Sequence, residues 1–422
     1  MNYTEAINFI HSTSNFFCKP GLERITELCA LLGNPQDNLK FVHVAGTNGK
    51  GSFCAMLSSI LIDAGLKVGT YTSPYILNFG ERICVNGKMI ADDELAEICT
   101  KIKPLTEKMS DSPTEFEVIT AAAFYYFNKM GCDIVVLECG LGGLYDATNI
   151  IKTPCLSVIT GVDFDHQNFL GNTIEKIATE KAGIIKNGVS CLWCGENKLA
   201  KTIIETTAQS KNSNIITPDY NYINIKNLSL ENTIFDYKNY KYIALSLLGI
   251  YQTKNAANVI EAVEYLNNIG YSVTEENIKN GLNGTIWRAR FEVLSKEPLI
   301  VFDGSHNPQG ISAALNSIKT YFGNQKVNIL MGVMADKDYN FMANELSKVA
   351  NNVYCVTPNN PRALNSKDLA SVFKKLNVSA FAFDDTKTAF NTAVKESVNK
   401  NTPLICLGSL YMYSQIYNIL LN

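Results

Sequence analysis

The apolar run Phe41, Val42, His43, Val44, Ala45 empties into Gly46-Thr47-Asn48-Gly49-Lys50-Gly51-Ser52, and a helical apolar stripe (Phe53, Met56, Leu57, Ile60, Leu61) follows at once. A short strand that passes through a glycine-rich turn into a helix belongs to a parallel α/β sheet. It is also a phosphate cradle. Glycines let backbone N–H groups close on phosphate oxygens, and the helix presents its positive end to them. Lys50 adds a point charge, and Ser52 is placed to order the metal that accompanies a nucleotide. The spacing is not the usual Walker one, since Val44 stands at the first glycine position and Gly51 separates Lys50 from Ser52. A nucleoside triphosphate is the first substrate class to expect, in one particular branch of ATP-using enzymes.

The same rhythm continues along the chain. Strand-like runs at 67–72, 133–138 and 155–160 alternate with helical stretches at 50–64 and 113–130, which predicts a doubly wound, mainly parallel sheet. Residues 190–245 are more polar and strand-like, and predict a small antiparallel elaboration. A second cycle has strands at 299–302, 327–332, 352–356, 380–383 and 404–407, with helices at 308–321, 338–350, 366–375 and 386–398. The expected fold is therefore α/β in two domains. Residues 1–293 form an N-terminal P-loop-type, ATP-binding domain, and 294–422 a C-terminal Rossmann-like domain, with the polar run SKEP at 295–298 near the boundary.

Composition removes several classes. A net charge of -3 gives no electrostatic case for nucleic acid or an anionic membrane. The start MNYTEAINFIHS lacks the basic and apolar regions of a signal peptide, and no apolar run approaches the roughly 18 residues of a membrane span. The twelve cysteines are scattered; Cys191 and Cys194 form a CxxC without zinc-spaced partners and read as a reduced structural pair. A cytoplasmic protein, expected to be monomeric, follows. Only five arginines occur, Arg24, Arg82, Arg288, Arg290 and Arg362, so each is a candidate for bidentate anion binding.

Ligands of open α/β sheets gather beyond the carboxyl ends of strands. Four candidates stand there: Ser73 in TSPY, Glu138 at the end of DIVVLE, His166 in DFDHQ, and Asp303 opening DGSHNP. Magnesium takes oxygen ligands and keeps waters and phosphate oxygens, so few protein ligands are needed. An imidazole is a less usual partner, and His166 is as readily structural as ligating. Lys181, on an amphipathic helix, reads by default as a solvated lysine; desolvated, it could react with carbon dioxide to give a metal-binding carbamate. Asn255 heads a helix, where its amide reads an adenine edge or caps the helix. In WRARF a loop could place Arg288 or Arg290 on a phosphate, and in DGSHNP Asp303 and His306 flank a tight turn.

Taken in order, GLER (21–24), GTNGKGS, TSPY, ERI (81–83), TEFE (114–117), GLGGLYDATN, DH (165–166), EKAGI (180–184), DGSHNP and DKD (336–338) resemble the folylpolyglutamate synthase and dihydrofolate synthase family of the Mur ligase superfamily. The resemblance implies an ATP-dependent amide-forming ligase that joins L-glutamate to a folate-type carboxylate through an acyl phosphate. It implies that Asn48, Gly49, Lys50, Gly51 and Ser52 hold ATP, that Ser73, Glu138 and His166 bind Mg2+ (two ions), and that Lys181 is carboxylated. Asn255, Arg290 and Asp303 match nucleotide contacts, with His306 beside them. Lys50, Lys181 and His306 are the expected catalytic residues. Arg82, Thr114, Glu115, Phe116, Glu117, Tyr145, Asp146 and Ala147 match the folate or dihydropteroate site. Three departures stand out: Leu144 replaces an arginine, Ser305 an alanine, and Arg288-Ala289 a proline and glycine. The retained DATN favours a bifunctional enzyme. A peptidoglycan Mur ligase is the alternative; a P-loop kinase leaves EKAGI and DGSHNP unexplained.

Overall fold

The computed structural model describes residues 1–13 and 20–421. Its contacts divide it into two compact units, Met1–Asn221 with Asn255–Thr285, and Tyr222–Lys254 with Ile286–Asn422.

The first unit is built on eight strands: β1 (Phe41–Ala45), β2 (Val68–Tyr71), β3 (Ile83–Val85), β4 (Lys88–Met89), β5 (Ile134–Glu138), β6 (Leu156–Ile159), β7 (Cys191–Trp193) and β8 (Ile215–Ile216). Their order is β4-β3-β2-β5-β1-β6-β7-β8. Only the β2–β3 and β3–β4 pairs are antiparallel. Every residue of β1 and β5 is buried, as parallel strands covered on both faces require. Each Val, Leu or Ile so enclosed contributes about 1.5–3 kcal/mol. In register, Val44 lies beside Glu138 on one side and Val158 on the other. Chain order reverses about β1, so the carboxyl ends of β1, β5 and β6 make the switch-point edge where α/β ligands bind.

Two helices hold that edge in place. The helix Lys50–Asp63 follows the glycine turn, and Glu275–Asn283 packs on it so closely that a β-carbon on Gly281 would stand 2.5 Å from the Ile60 backbone. The helix Glu115–Met130 opens with a capping box, in which the Thr114 hydroxyl accepts from Glu117 N–H and the Glu117 carboxylate accepts from Thr114 N–H.

In the second unit, β9 (Asn224–Leu228), β10 (Thr233–Tyr237) and β11 (Tyr240–Leu245) form the expected small antiparallel sheet. A six-stranded sheet has the order β12-β13-β17-β14-β15-β16, with β12 (Glu292–Lys296), β13 (Leu299–Asp303), β14 (Val327–Met331), β15 (Ala350–Cys355), β16 (Ser379–Ala382) and β17 (Leu404–Leu407). All its pairs but β12–β13 are parallel. SKEP is the tail and turn of the β12–β13 hairpin, within the stretch Ile286–Asn422 of the second unit. The small sheet belongs to this unit and not to the first one: Gly249 N–H donates to the Tyr321 hydroxyl (3.2 Å), and Leu248 shares a core with Phe291 and Val301.

The eleven described cysteines are all free thiols, with Cys191 and Cys194 buried. Among the described residues no helix is long and apolar enough to cross a membrane.

Candidate active site

The cradle has the backbone geometry its glycines promise. Gly46 has φ 151°, and a β-carbon there would lie 1.9 Å from Thr160 Oγ1; Gly49 caps the helix at φ 87°. Thr47 N–H donates to the Gly161 carbonyl (2.9 Å), and the Thr160 hydroxyl donates to the Asn48 carbonyl (2.7 Å), so β6 props the turn. Lys50 Nζ folds over the loop onto the carbonyls of Gly46 (3.0 Å) and Thr47 (3.4 Å). An ammonium resting on its own loop carbonyls is poised to move to a phosphate. Ser52 is buried behind it. Asn255 reaches the same loop, since a β-carbon on Gly49 would stand 3.0 Å from its Oδ1.

Beside the cradle, Glu138 ends β5 with its side chain buried and accepts from Ser73 N–H at 3.0 Å. This carboxylate and the Ser73 hydroxyl suit magnesium, which needs few protein oxygens when phosphates and water supply the rest. His166 sits in the left-handed region (φ 50°) at the head of the short helix Gln167–Leu170, with its ring nitrogen 3.9 Å from Asp165 Oδ1. No cluster of three or more His, Cys, Asp or Glu side chains able to hold a metal occurs among the described residues, so the oxygen pair is the part that fits.

Lys181 overturns its default reading. It is 3% exposed, because the helix Ile174–Ala182 turns this face under the 140–149 loop: Leu144 N–H donates to the Glu180 carbonyl (2.8 Å), and Gly143 lies against the Lys181 backbone. Burial, and next the charge of Lys50, push its ammonium down to about 7. At neutral pH a large share is free amine, the form that attacks carbon dioxide.

On the acceptor side the expected residues separate into two groups. Phe116 packs its ring on Gly140, whose β-carbon would meet it at 2.5 Å, and lies 6.0 Å from the Tyr71 ring. Tyr145 is 53% exposed, and Arg82 stacks on Tyr75 (5.2 Å) and Phe79 (5.6 Å). Aromatic rings and a guanidinium of this kind are chemically suited to a flat, polar-edged ligand. The others are engaged with neighbouring protein groups. Thr114 and Glu117 are committed to their helix cap, and Glu117 also accepts from Arg24 Nε (3.0 Å); Glu115 pairs with His11 (3.2 Å). Ala147 is buried, and so is Asp146, whose carboxylate accepts from Leu141 N–H (2.8 Å), Thr148 N–H (3.0 Å) and the Thr148 hydroxyl (2.5 Å). Thr114, Glu117 and Asp146 therefore also support the segments that carry Phe116 and Tyr145.

In the second unit Asp303 is likewise internal. It accepts from the Tyr251 hydroxyl (3.1 Å), Phe291 N–H (2.8 Å), Ser305 N–H (2.9 Å) and the Ser305 hydroxyl. It clamps the strap 288–292 to the DGSHNP turn, and the departure at Ser305 supplies one of the clamps. Arg290 lies over Gly304, donating to the Ala289 carbonyl (3.0 Å), and His306 Nδ1 is 2.8 Å from the Gly304 carbonyl. Arg288 is structural: it donates to the Tyr413 hydroxyl (3.1 Å), pairs with Glu292 (3.4 Å) and stacks on Tyr417. Sequence reasoning missed His43, Glu292 and Tyr413, which carry no local motif, and passed over Thr148 within DATN.

The chain matches the Mur ligase middle domain over residues 44–263 and the Mur ligase glutamate ligase domain over 289–410. It is 37% identical to the dihydrofolate synthase/folylpolyglutamate synthase of Bacillus subtilis, over 98% of both chains. It is 35% identical to the folylpolyglutamate synthase of Lacticaseibacillus casei, over 100% of this chain and 99% of that one. Among solved structures, Escherichia coli FolC in complex with DHPP and ADP superposes with a TM-score of 0.88 at 27% identity, covering 100% of this chain and 98% of the other. The chain belongs to the folylpolyglutamate synthase/dihydrofolate synthase family of Mur ligases. Its chemistry is ATP-dependent amide formation.

Proposed function

We propose that this chain joins L-glutamate to the carboxylate of a folate and, in a second activity, to dihydropteroate. ATP's γ-phosphoryl group passes to the acceptor carboxylate, ADP leaves, and the glutamate amine displaces phosphate from the acyl phosphate to leave an amide. The observation that carries this reading is the meeting, at one switch-point edge, of the cradle, the Glu138 carboxylate and the buried amine of Lys181. A kinase needs the cradle but has no use for a buried lysine of lowered basicity.

The residues divide the work. Backbone N–H groups of 48–52 and the Lys50 ammonium neutralise the phosphates, while Asn255 and Arg290 contact the nucleotide. Ser73, Glu138 and His166 are assigned to magnesium, two ions in all, which would screen the charge building on the transferred phosphoryl group. The neutral Lys181 amine attacks carbon dioxide and loses a proton to give a carbamate, whose anionic oxygens offset the charge of a bound cation. Phe116 and Tyr145 stack on the pterin, and Arg82 steers the acceptor. Positioning and charge neutralisation supply the acceleration, so no covalent enzyme intermediate is required. Free thiols throughout the described residues suit a reducing cytoplasm, and the chain is read as a monomer whose partners are ATP, L-glutamate and a folate.

Phosphate release from ATP tests this. It should need L-glutamate together with a pteroate or folate acceptor; equal turnover with a muramoyl acceptor and none with folates would contradict it.

A further inference from the structure

His43 is a fully buried imidazole in the middle of the central strand β1, a position that an aliphatic residue would fill at lower cost. Its Nε2 lies 2.8 Å from Thr148 Oγ1 and 3.1 Å from Cys139 Sγ. The Thr148 hydroxyl proton is already given to Asp146 Oδ1 at 2.5 Å. With the Asp146 carboxylate ionised, the proton of the Nε2–Oγ1 contact belongs to Nε2, and the donation runs His43 to Thr148 to Asp146. The other nitrogen, Nδ1, has no hydrogen-bond partner among the described residues. A buried polar group retained half-satisfied in a core strand points to a task other than stability.

The far end of the relay shows what that task is. Asp146 Oδ2 takes Leu141 N–H (2.8 Å), which closes the turn that seats Gly140 under the Phe116 ring. The same loop is stitched to the Lys181 helix, as Asn149 Nδ2 donates to the carbonyls of Leu144 (2.9 Å) and Gly183 (3.2 Å). Tyr145 stands exposed between these two anchors.

We propose that His43 and Thr148 are positioning residues for the acceptor: their relay orients the Asp146 carboxylate and thereby sets the 140–149 loop that presents Phe116 and Tyr145 to the pterin ring. The proposal rests on the folate reading of this loop. Neither side chain touches substrate. Because β1 also feeds the ATP cradle, His43 places acceptor geometry under the control of the strand that carries the nucleotide.

Thr148→Val removes the hydroxyl with little change of shape. It should raise KM for dihydropteroate and for folate roughly tenfold to a hundredfold, the range for losing a hydrogen bond to a charged group, with KM for ATP within about twofold of wild type. Thr148→Ser should restore the acceptor KM. His43→Gln, approaching from the other end with its own N–H donor, should give an intermediate acceptor KM and an altered preference between the two acceptors. Thr148→Val and His43→Gln with wild-type acceptor kinetics would overturn the proposal while leaving the ligase reading intact. So would a parallel loss in both KM values and kcat with no rescue by Thr148→Ser, the pattern of mere destabilisation. A wild-type enzyme that ignores pterin acceptors would overturn the ligase reading and the proposal together.

Discussion

At the scale of single residues, Lys181 and Glu117 are equally buried, and what differs is what each is paired with. The helix pattern IEKIATEKA gives no sign that this lysine is enclosed, because its cover comes from an earlier loop, the 140–149 segment, and not from its own helix. Its ammonium is held down to about 7, so the free amine that reacts with carbon dioxide is lost as pH falls through that value; an exposed lysine would stay protonated up to about 10.5. Labelled bicarbonate should therefore give a carbamate signal in carbon NMR that grows as pH rises through about 7. Lys181→Ala should abolish both the signal and turnover. Glu117 illustrates the reverse. Its motif TEFE reads as ligand-binding, but the carboxylate is shared between a helix cap and Arg24. Glu117→Gln should lower stability by about 1–3 kcal/mol in denaturant unfolding and leave the acceptor KM unchanged.

At the scale of elements, periodicity was a good guide to existence and a poorer one to partnership. The strand at 404–407 and the helix at 366–375 lie where their patterns place them, and most others shift by a residue or two. The helix expected at 338–350 stops at Ser347, because Ala350 already pairs with Val327 as the start of β15. What periodicity could not supply is which elements meet. Gly281 is an unremarked glycine in sequence, yet it lets two helices touch at Ile60; Gly281→Ala should cost about 1–3 kcal/mol through overpacking, read by thermal unfolding. The strap 288–292 was likewise read only as an arginine-bearing loop. Glu292 accepts from Ala289 N–H (2.7 Å) and the Tyr413 hydroxyl (3.0 Å), which ties the strap to the helix Tyr413–Leu421. Tyr413→Phe should loosen Arg290 and raise KM for ATP by roughly threefold to tenfold, with acceptor KM preserved.

At the scale of the molecule, the α/β class and the two-part plan follow from the strand–helix rhythm, and the phosphate cradle from its glycines. The chain's path between the units does not. Residues 222–254 leave the first unit to join the second, and 255–285 return; the polar, strand-like character of 190–245 marks an elaboration there but not which unit it joins. The central claim is that ATP activates a folate-type carboxylate as an acyl phosphate, and isotope transfer tests it most directly. With heavy oxygen in the acceptor carboxylate, ATP and L-glutamate, each turnover should deliver one labelled oxygen to the released phosphate. Amide product formed with unlabelled phosphate would contradict the acyl-phosphate route.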